Sequence, residues 1–120
     1  MTGRVDERLR ALILVPLAAE SNGPRQEVEV WIDTAFNGGL AIPRTLLAEL
    51  PLSQESSAEA TLADGRTVAL ETFGCVLDWF GKTYRTQVVA SDGVHALLGT
   101  QFLAGRRLAI DYAAGTVELQ

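Results

Sequence analysis

The chain has 120 residues, of which 48% are hydrophobic and 21% charged, and its formal net charge is −5. This length suits one domain spanning residues 1–120, and the balance argues against a disordered, collagen-like or coiled-coil chain. The acidic surplus disfavours a phosphate-tracking surface, so nucleic acid is not an expected partner, and one cysteine (Cys75) with one histidine (His95) supplies neither an internal disulfide nor a structural metal site.

Ala11 to Ala19 is the longest strongly apolar run, but it contains Pro16 and has about half the ~20 residues a membrane-spanning helix needs. No membrane partner is expected, a cleaved signal peptide is disfavoured, and the expected compartment is the cytoplasm. Arg8 to Leu17 reads as a strand ending at the turn cluster Ser21-Asn22-Gly23-Pro24. From Gln26 the side chains alternate, with Val28, Val30 and Ile32 on one face and Glu27, Glu29 and Trp31 on the other, which predicts a half-buried strand ending at Asp33. Gly38-Gly39 then precedes Leu40-Ala41-Ile42, and Pro43 opens a short helix with Leu46, Leu47 and Leu50 on one face, stopped by Pro51.

Ser53 to Glu59 is a polar connector. Ala60 to Ala63 and Thr67 to Phe73 flank Asp64-Gly65, a strong hairpin signal. Cys75 to Phe80 and Tyr84 to Ala90 form a second hairpin turning at Gly81-Lys82. Val94 to Leu98 is a short strand, Thr100 to Ala104 one helical turn, and Leu108 to Tyr112 with Thr116 to Leu119 a last pair around Ala114-Gly115. Eight or nine short strands with one or two short helices predict an all-β barrel or sandwich.

His95 sits in an apolar run with no nucleophile motif beside it, so a Ser-His-Asp or Cys-His site is not expected, and Cys75 reads as a small buried residue with no neighbouring positive charge. No phosphate-binding glycine motif is present, and no cofactor is implied. The remaining candidate is Trp31-Ile32-Asp33-Thr34-Ala35-Phe36-Asn37-Gly38-Gly39, a carboxylate presented at a tight loop after a strand. A turn aspartate capping its own backbone is the alternative reading.

Ile32-Asp33-Thr34-Ala35-Phe36-Asn37-Gly38 resembles the catalytic loop of retropepsin-like aspartic proteases of clan AA, particularly the small bacterial single-domain type, with Ala35 where glycine is usual. Leu97-Leu98-Gly99, Phe102-Leu103 and Leu108-Ala109-Ile110-Asp111-Tyr112 resemble that family's hydrophobic-hydrophobic-glycine element, short helix and closing strands. The resemblance implies a closed β-barrel with a flap hairpin, and aspartic endopeptidase activity through an Asp33 pair in a homodimer, because the chain holds one such loop.

The resemblance also implies site roles. Thr34 and Ala35 support the catalytic loop; Asn37, Gly38, Asp64, Gly65, Arg66, His95 and Leu97 contact a peptide or protein substrate; Leu98 and Gly99 pack beneath the loop. Trp31 and Leu40 line side-chain pockets or simply pack. The terminal segments pair in a dimer sheet with Val117 and Leu119 at the interface, or these two pack within the monomer. A dimer of the same fold that binds an extended partner segment with little or no cleavage is the alternative function.

Overall fold

The computed structural model describes residues 1–61 and 63–120, and side chains throughout these except at 56–58, 60 and 68. The described elements, in chain order, are β1 (Thr2–Val5), β2 (Ala11–Ala18), β3 (Gln26–Ile32), β4 (Leu40–Pro43), α1 (Arg44–Leu47), β5 (Ser53–Thr61), β6 (Thr67–Trp79), β7 (Lys82–Ser91), β8 (Ala96–Leu98), α2 (Thr100–Leu103), β9 (Leu108–Asp111) and β10 (Thr116–Leu119). The sheet runs β5-β6-β7-β4-β8-β3-β2-β1-β10-β9, and a further pairing of β6 with β2 closes β6, β7, β4, β8, β3 and β2 into a six-stranded barrel. The barrel is mixed: β3 with β8 and β4 with β7 are parallel, and its other pairs are antiparallel.

Period-two alternation builds the core. Ile13 pairs with Val30 and Val15 with Val28, so these side chains share the inner face and are buried, joined by Leu17, Ile32, Leu40, Ile42, Leu77, Val88 and Leu98. Trp79 stacks edge-on against Phe102 of α2, which sets that short helix against the barrel wall. Ala11–Ala18 is therefore a barrel strand, and among the described residues no helix is long and apolar enough to cross a membrane.

Several elements differ from expectation for identifiable reasons. The strand expected from Arg8 starts only at Ala11, because Asp6 accepts hydrogen bonds from the Arg8 and Arg10 backbone N–H groups and Leu9 turns at φ 63°. The residues before this turn form β1, which pairs with both β2 and β10. Ser53 to Glu59 is a strand rather than a connector, since nearly all of it is laddered onto β6. The runs around Gly74 are one 13-residue strand, because Ser53 and Gln87 pair with Gly74 from both sides.

The second hairpin turns at Phe80-Gly81, one residue earlier than expected. Trp79 pairs with Lys82, and φ values of 49° and 79° at the two central residues give the mirror-image turn that suits twisted strands. The strand expected over Val94 to Leu98 is confined to Ala96–Leu98, and Val94 lies exposed in the preceding bend. At the first hairpin the last paired residues are Thr61 and Thr67, so Asp64-Gly65 is the tip of a longer loop and not a two-residue turn. The expected run Ala60 to Ala63 includes Leu62, which lies outside the described residues. Val117 and Leu119 face the core of their own chain, because β10 is held between β1 and β9.

Candidate active site

Strand β8 lies between β3 and β4: Ile32 and Leu40 both pair with Leu98, and Trp31 and Ala41 both pair with Leu97. The 33–39 loop joining β3 to β4 therefore crosses the end of β8, and the chain leaving β8 passes directly beneath it. Backbone bonds fasten the two segments. The Asp33 N–H donates to the Leu98 carbonyl (2.9 Å), Gly99 to Gly39 (2.7 Å), Thr100 to Phe36 (2.8 Å) and Gln101 to Gly38 (3.2 Å). A Cβ at Gly99 would lie 2.2 Å from the Gly38 carbonyl oxygen and 2.7 Å from that of Phe36, so only glycine lets the segments approach this closely.

Asp33 is half-buried at the mouth of the barrel. Its Oδ1 accepts the Ala35 N–H at 2.9 Å, and Oδ2 has no hydrogen-bond partner among the described residues. The self-capping turn and the presented carboxylate are thus one arrangement: one oxygen orients the side chain and the other is left for solvent or a reactant. Ala35 does not have positive φ, so its methyl group fits the turn. Thr34, Ala35 and Asn37 are exposed, while Leu98 and Gly99 are buried below them.

Beside this loop lies a cleft of about 490 Å³ lined by Phe36, Gly38, Gly39 and Leu40 on one wall and by β5–β7 residues on the other. Sequence reasoning missed the second wall, which includes Glu55, Thr72, Arg85 and Gln87; the Gln87 amide donates to Glu55 at 3.0 Å. The period-two spacing of Arg85, Gln87 and Val89 was the available signal that they share a face. Asp64, Gly65 and Arg66 lie at the exposed hairpin tip, where Asp64 accepts both the Arg66 N–H (3.0 Å) and its guanidinium (2.6 Å), and Gly65 has φ 86°.

His95 and Leu97 lie outside the lining of that cleft. His95 Nε2 contacts the Arg10 guanidinium, its ring stands edge-on to Trp31 at 6.0 Å, and Arg10 also pairs with buried Asp6 at 2.7 Å. Leu97 shares the outer sheet face with Trp31, across from which it pairs. Cys75 is fully buried in the core, and burial pushes its thiol up to about 11, so it stays protonated and unreactive at neutral pH. Among the described residues no three His, Cys, Asp or Glu side chains converge as metal ligands.

No protein-family model and no curated protein matches the sequence. Solved structures do match in shape. EIAV protease complexed with the inhibitor HBY-793 superposes with a TM-score of 0.59 at 16% identity, over 83% of this chain and 90% of that one. The foamy viral protease-reverse transcriptase in complex with RNA/DNA hybrid superposes with a TM-score of 0.50 at 14% identity, over 83% of this chain and 13% of that one. The closed barrel, the β8 strand seated between β3 and β4, and these two likenesses together establish that this chain has the retropepsin-like fold.

Proposed function

We propose that the chain is one half of an aspartic endopeptidase of the small bacterial retropepsin-like type, completed when a second copy brings its own Asp33 to a shared two-fold axis. The observation that carries this reading is the half-buried Asp33, whose backbone N–H is held by Leu98 and whose Oδ1 is held by Ala35 while Oδ2 has no partner among the described residues. Hydrolysis of a peptide bond by water needs one carboxylate to take a proton from the water and a protonated carboxyl to polarise the carbonyl and support the departing amine. Two aspartates brought close together meet that need, since they cannot both ionise and so share one proton and titrate as a pair. Symmetry then makes the two halves equivalent until substrate binds.

In this reading Thr34 holds the two loops together across the axis, the Ala35 carbonyl meets the substrate backbone, and Asn37 and Gly38 border the cleft. Asp64, Gly65 and Arg66 close over an extended peptide added as a strand, whereas His95 and Leu97, outside the cleft lining, are left with a packing role. Leu98 and Gly99 hold the loop from below. The alternative, a dimer that binds an extended segment without cutting it, is favoured by the charged flap tip formed by Asp64 and Arg66. Incubation with a diverse peptide library from acid to neutral pH separates the two. Cleavage by the native chain that Asp33→Asn abolishes supports the peptidase, whereas peptide capture without cleavage by either protein supports the binder.

A further inference from the structure

We propose that the chain holds its substrate at a second place, an aromatic pocket beside α2 that adjoins the Asp33 cleft and takes an aromatic side chain next to a carboxylate in the same peptide. This rests on the peptide-substrate reading above and names a substrate feature which that reading leaves open. The pocket has a volume of about 300 Å³ and is lined by Trp79 at the end of β6, Tyr84 of β7, Gln101 and Phe102 of α2, and Ala104 and Arg106 beyond it. Such a volume lies at the lower end of the ~300–1,000 Å³ typical of ligand pockets, which suits a pair of neighbouring side chains better than a large cofactor.

Ring contacts hold the walls in place. Trp79 stands edge-on to Phe102, with centroids 5.6 Å apart, and to Phe80 at 5.2 Å. Trp79 is itself buried, whereas Tyr84 keeps 40% of its surface exposed. Walls fixed in this way offer ring faces and edges to an incoming aromatic group and leave little to be ordered on binding. The rim is cationic, because Arg106 lays its guanidinium 3.6 Å from the centre of the Phe80 ring. Stacking occupies one face of the guanidinium and leaves its in-plane N–H fork free, the arrangement that grips a carboxylate through two parallel bonds. Arg4, Arg10, Arg25, Arg44, Arg66 and Arg85 each have a carboxylate partner, and Arg106 makes no ion pair among the described residues. An acid arriving with the peptide supplies one.

The pocket adjoins the cleft because β4 is short. Its pairing with β7 begins at Leu40 opposite Val88, so the part of β7 before Val88 has no β4 neighbour and borders an open groove. Along that strand Tyr84 lines the pocket, while Arg85, Thr86, Gln87 and Val89 line the cleft, and Gln101 lines both. Val89 and Tyr84 are about 17 Å apart at ~3.3 Å per residue. A peptide lying extended along β7 therefore carries a residue about five positions from those held in the cleft into the pocket. Binding energy gained there is remote from the reacting bond and sorts substrates by affinity.

Two blocked tetrapeptides, Gly-Phe-Glu-Gly and Gly-Phe-Gln-Gly, are short enough to probe the pocket alone, and NMR titration of the full chain reads their binding without any cleavage. The Phe-Glu peptide should shift the Trp79 indole N–H and the amides of 101–106, and bind about fivefold or more tighter than the Phe-Gln peptide. Arg106→Gln should erase that difference, and Tyr84→Ser should weaken both peptides. Equal binding of the two by the native chain, a preference that survives Arg106→Gln, or shifts confined to other parts of the chain would overturn the proposal; if a variant fails to fold, the comparison on the native chain decides. Binding by dilute single chains but not by paired ones would put a second copy over the pocket and overturn it too. In cleavage assays, a Phe-Glu pair about five residues from the cut should lower KM with kcat unchanged for the native chain and not for Arg106→Gln, while peptides without the pair are cut equally by both; a KM indifferent to the pair at every spacing would overturn the proposal. Where no peptide is cleaved, tetrapeptide binding still decides: a Phe-Glu preference that depends on Arg106 would uphold the docking pocket and remove only the peptidase reading.

Discussion

Gly99 is where backbone geometry and the candidate chemistry meet. The atoms a new Cβ would strike there are carbonyl oxygens of Gly38 and Phe36, which cannot swing aside as a side chain would. Gly99→Ala is therefore expected to cost about 2–3 kcal/mol, in the range of overpacked cores, and to shift the Asp33 loop. Gly65→Ala is a useful contrast, since nothing lies within 4 Å of its added Cβ and only the positive φ resists it, at about 1 kcal/mol. Urea unfolding with peptide cleavage distinguishes the two: the first variant loses stability and activity together, the second loses little stability.

Asp6 supports a pH prediction. Burial pushes its carboxyl up, but the Arg10 N–H (2.9 Å), the Arg10 guanidinium (2.7 Å) and the Arg8 N–H (3.0 Å) outweigh that and hold it below the ordinary carboxylate range. A carboxyl lowered by folding adds stability above its unfolded value, near ~4, and loses that contribution as pH falls through the folded value. Asp6→Asn should thus destabilise the chain at neutral pH, with the gap to the native chain narrowing toward ~pH 2, as urea melts at the two pH values would show. A gap independent of pH would mean that packing, not charge, holds this turn.

At the scale of elements, β6 unites two regions of different stability in one strand. Its 72–79 half is flanked by β7, and residues 76 and 77 also by β2, whereas its first residues pair only with β5 and β7 does not reach them. Local opening follows the density of such contacts. Amide hydrogens at 63–67 should accordingly exchange faster than those at 75–79, and a bound peptide should slow the former if the hairpin closes over it. Equal protection in both halves would contradict a gating role.

The same elements explain which features were legible in the sequence. The Asp33 loop was legible because its signal is local, a carboxylate and small residues directly after an alternating strand. The second cleft wall was not, because Arg85 and Gln87 reach the loop through the parallel pairing of β7 with β4, where Val88 lies opposite Leu40, and Glu55 follows through β6, all of them contacts between segments distant in sequence. Strand β5 was missed for a different reason: it projects from the barrel, so its polar composition resembles that of a connector. The turn at 6–10 was hidden because Leu9, separated from the apolar run only by Arg10, reads as its extension, and no propensity would suggest its left-handed backbone.

For the molecule as a whole, the central constraint is that each barrel carries one Asp33 loop, so the proposed paired-aspartate mechanism requires two chains. This makes Asp33→Asn more than a loss-of-function control. The variant keeps nearly the same shape and all the surfaces through which chains pair, so it should enter dimers as readily as the native chain. At a fixed amount of native chain, a ninefold excess of Asp33→Asn chain would leave about one native partner in ten, and cleavage should fall to about one tenth by mass action. Chains that act singly would show no such decline, and chains that pair so slowly that mixing is incomplete would show it only after unfolding and refolding together. The dilution curve therefore measures the shared site directly: a proportional fall means both carboxylates are required, and a flat curve would remove the paired-aspartate mechanism while leaving the fold untouched.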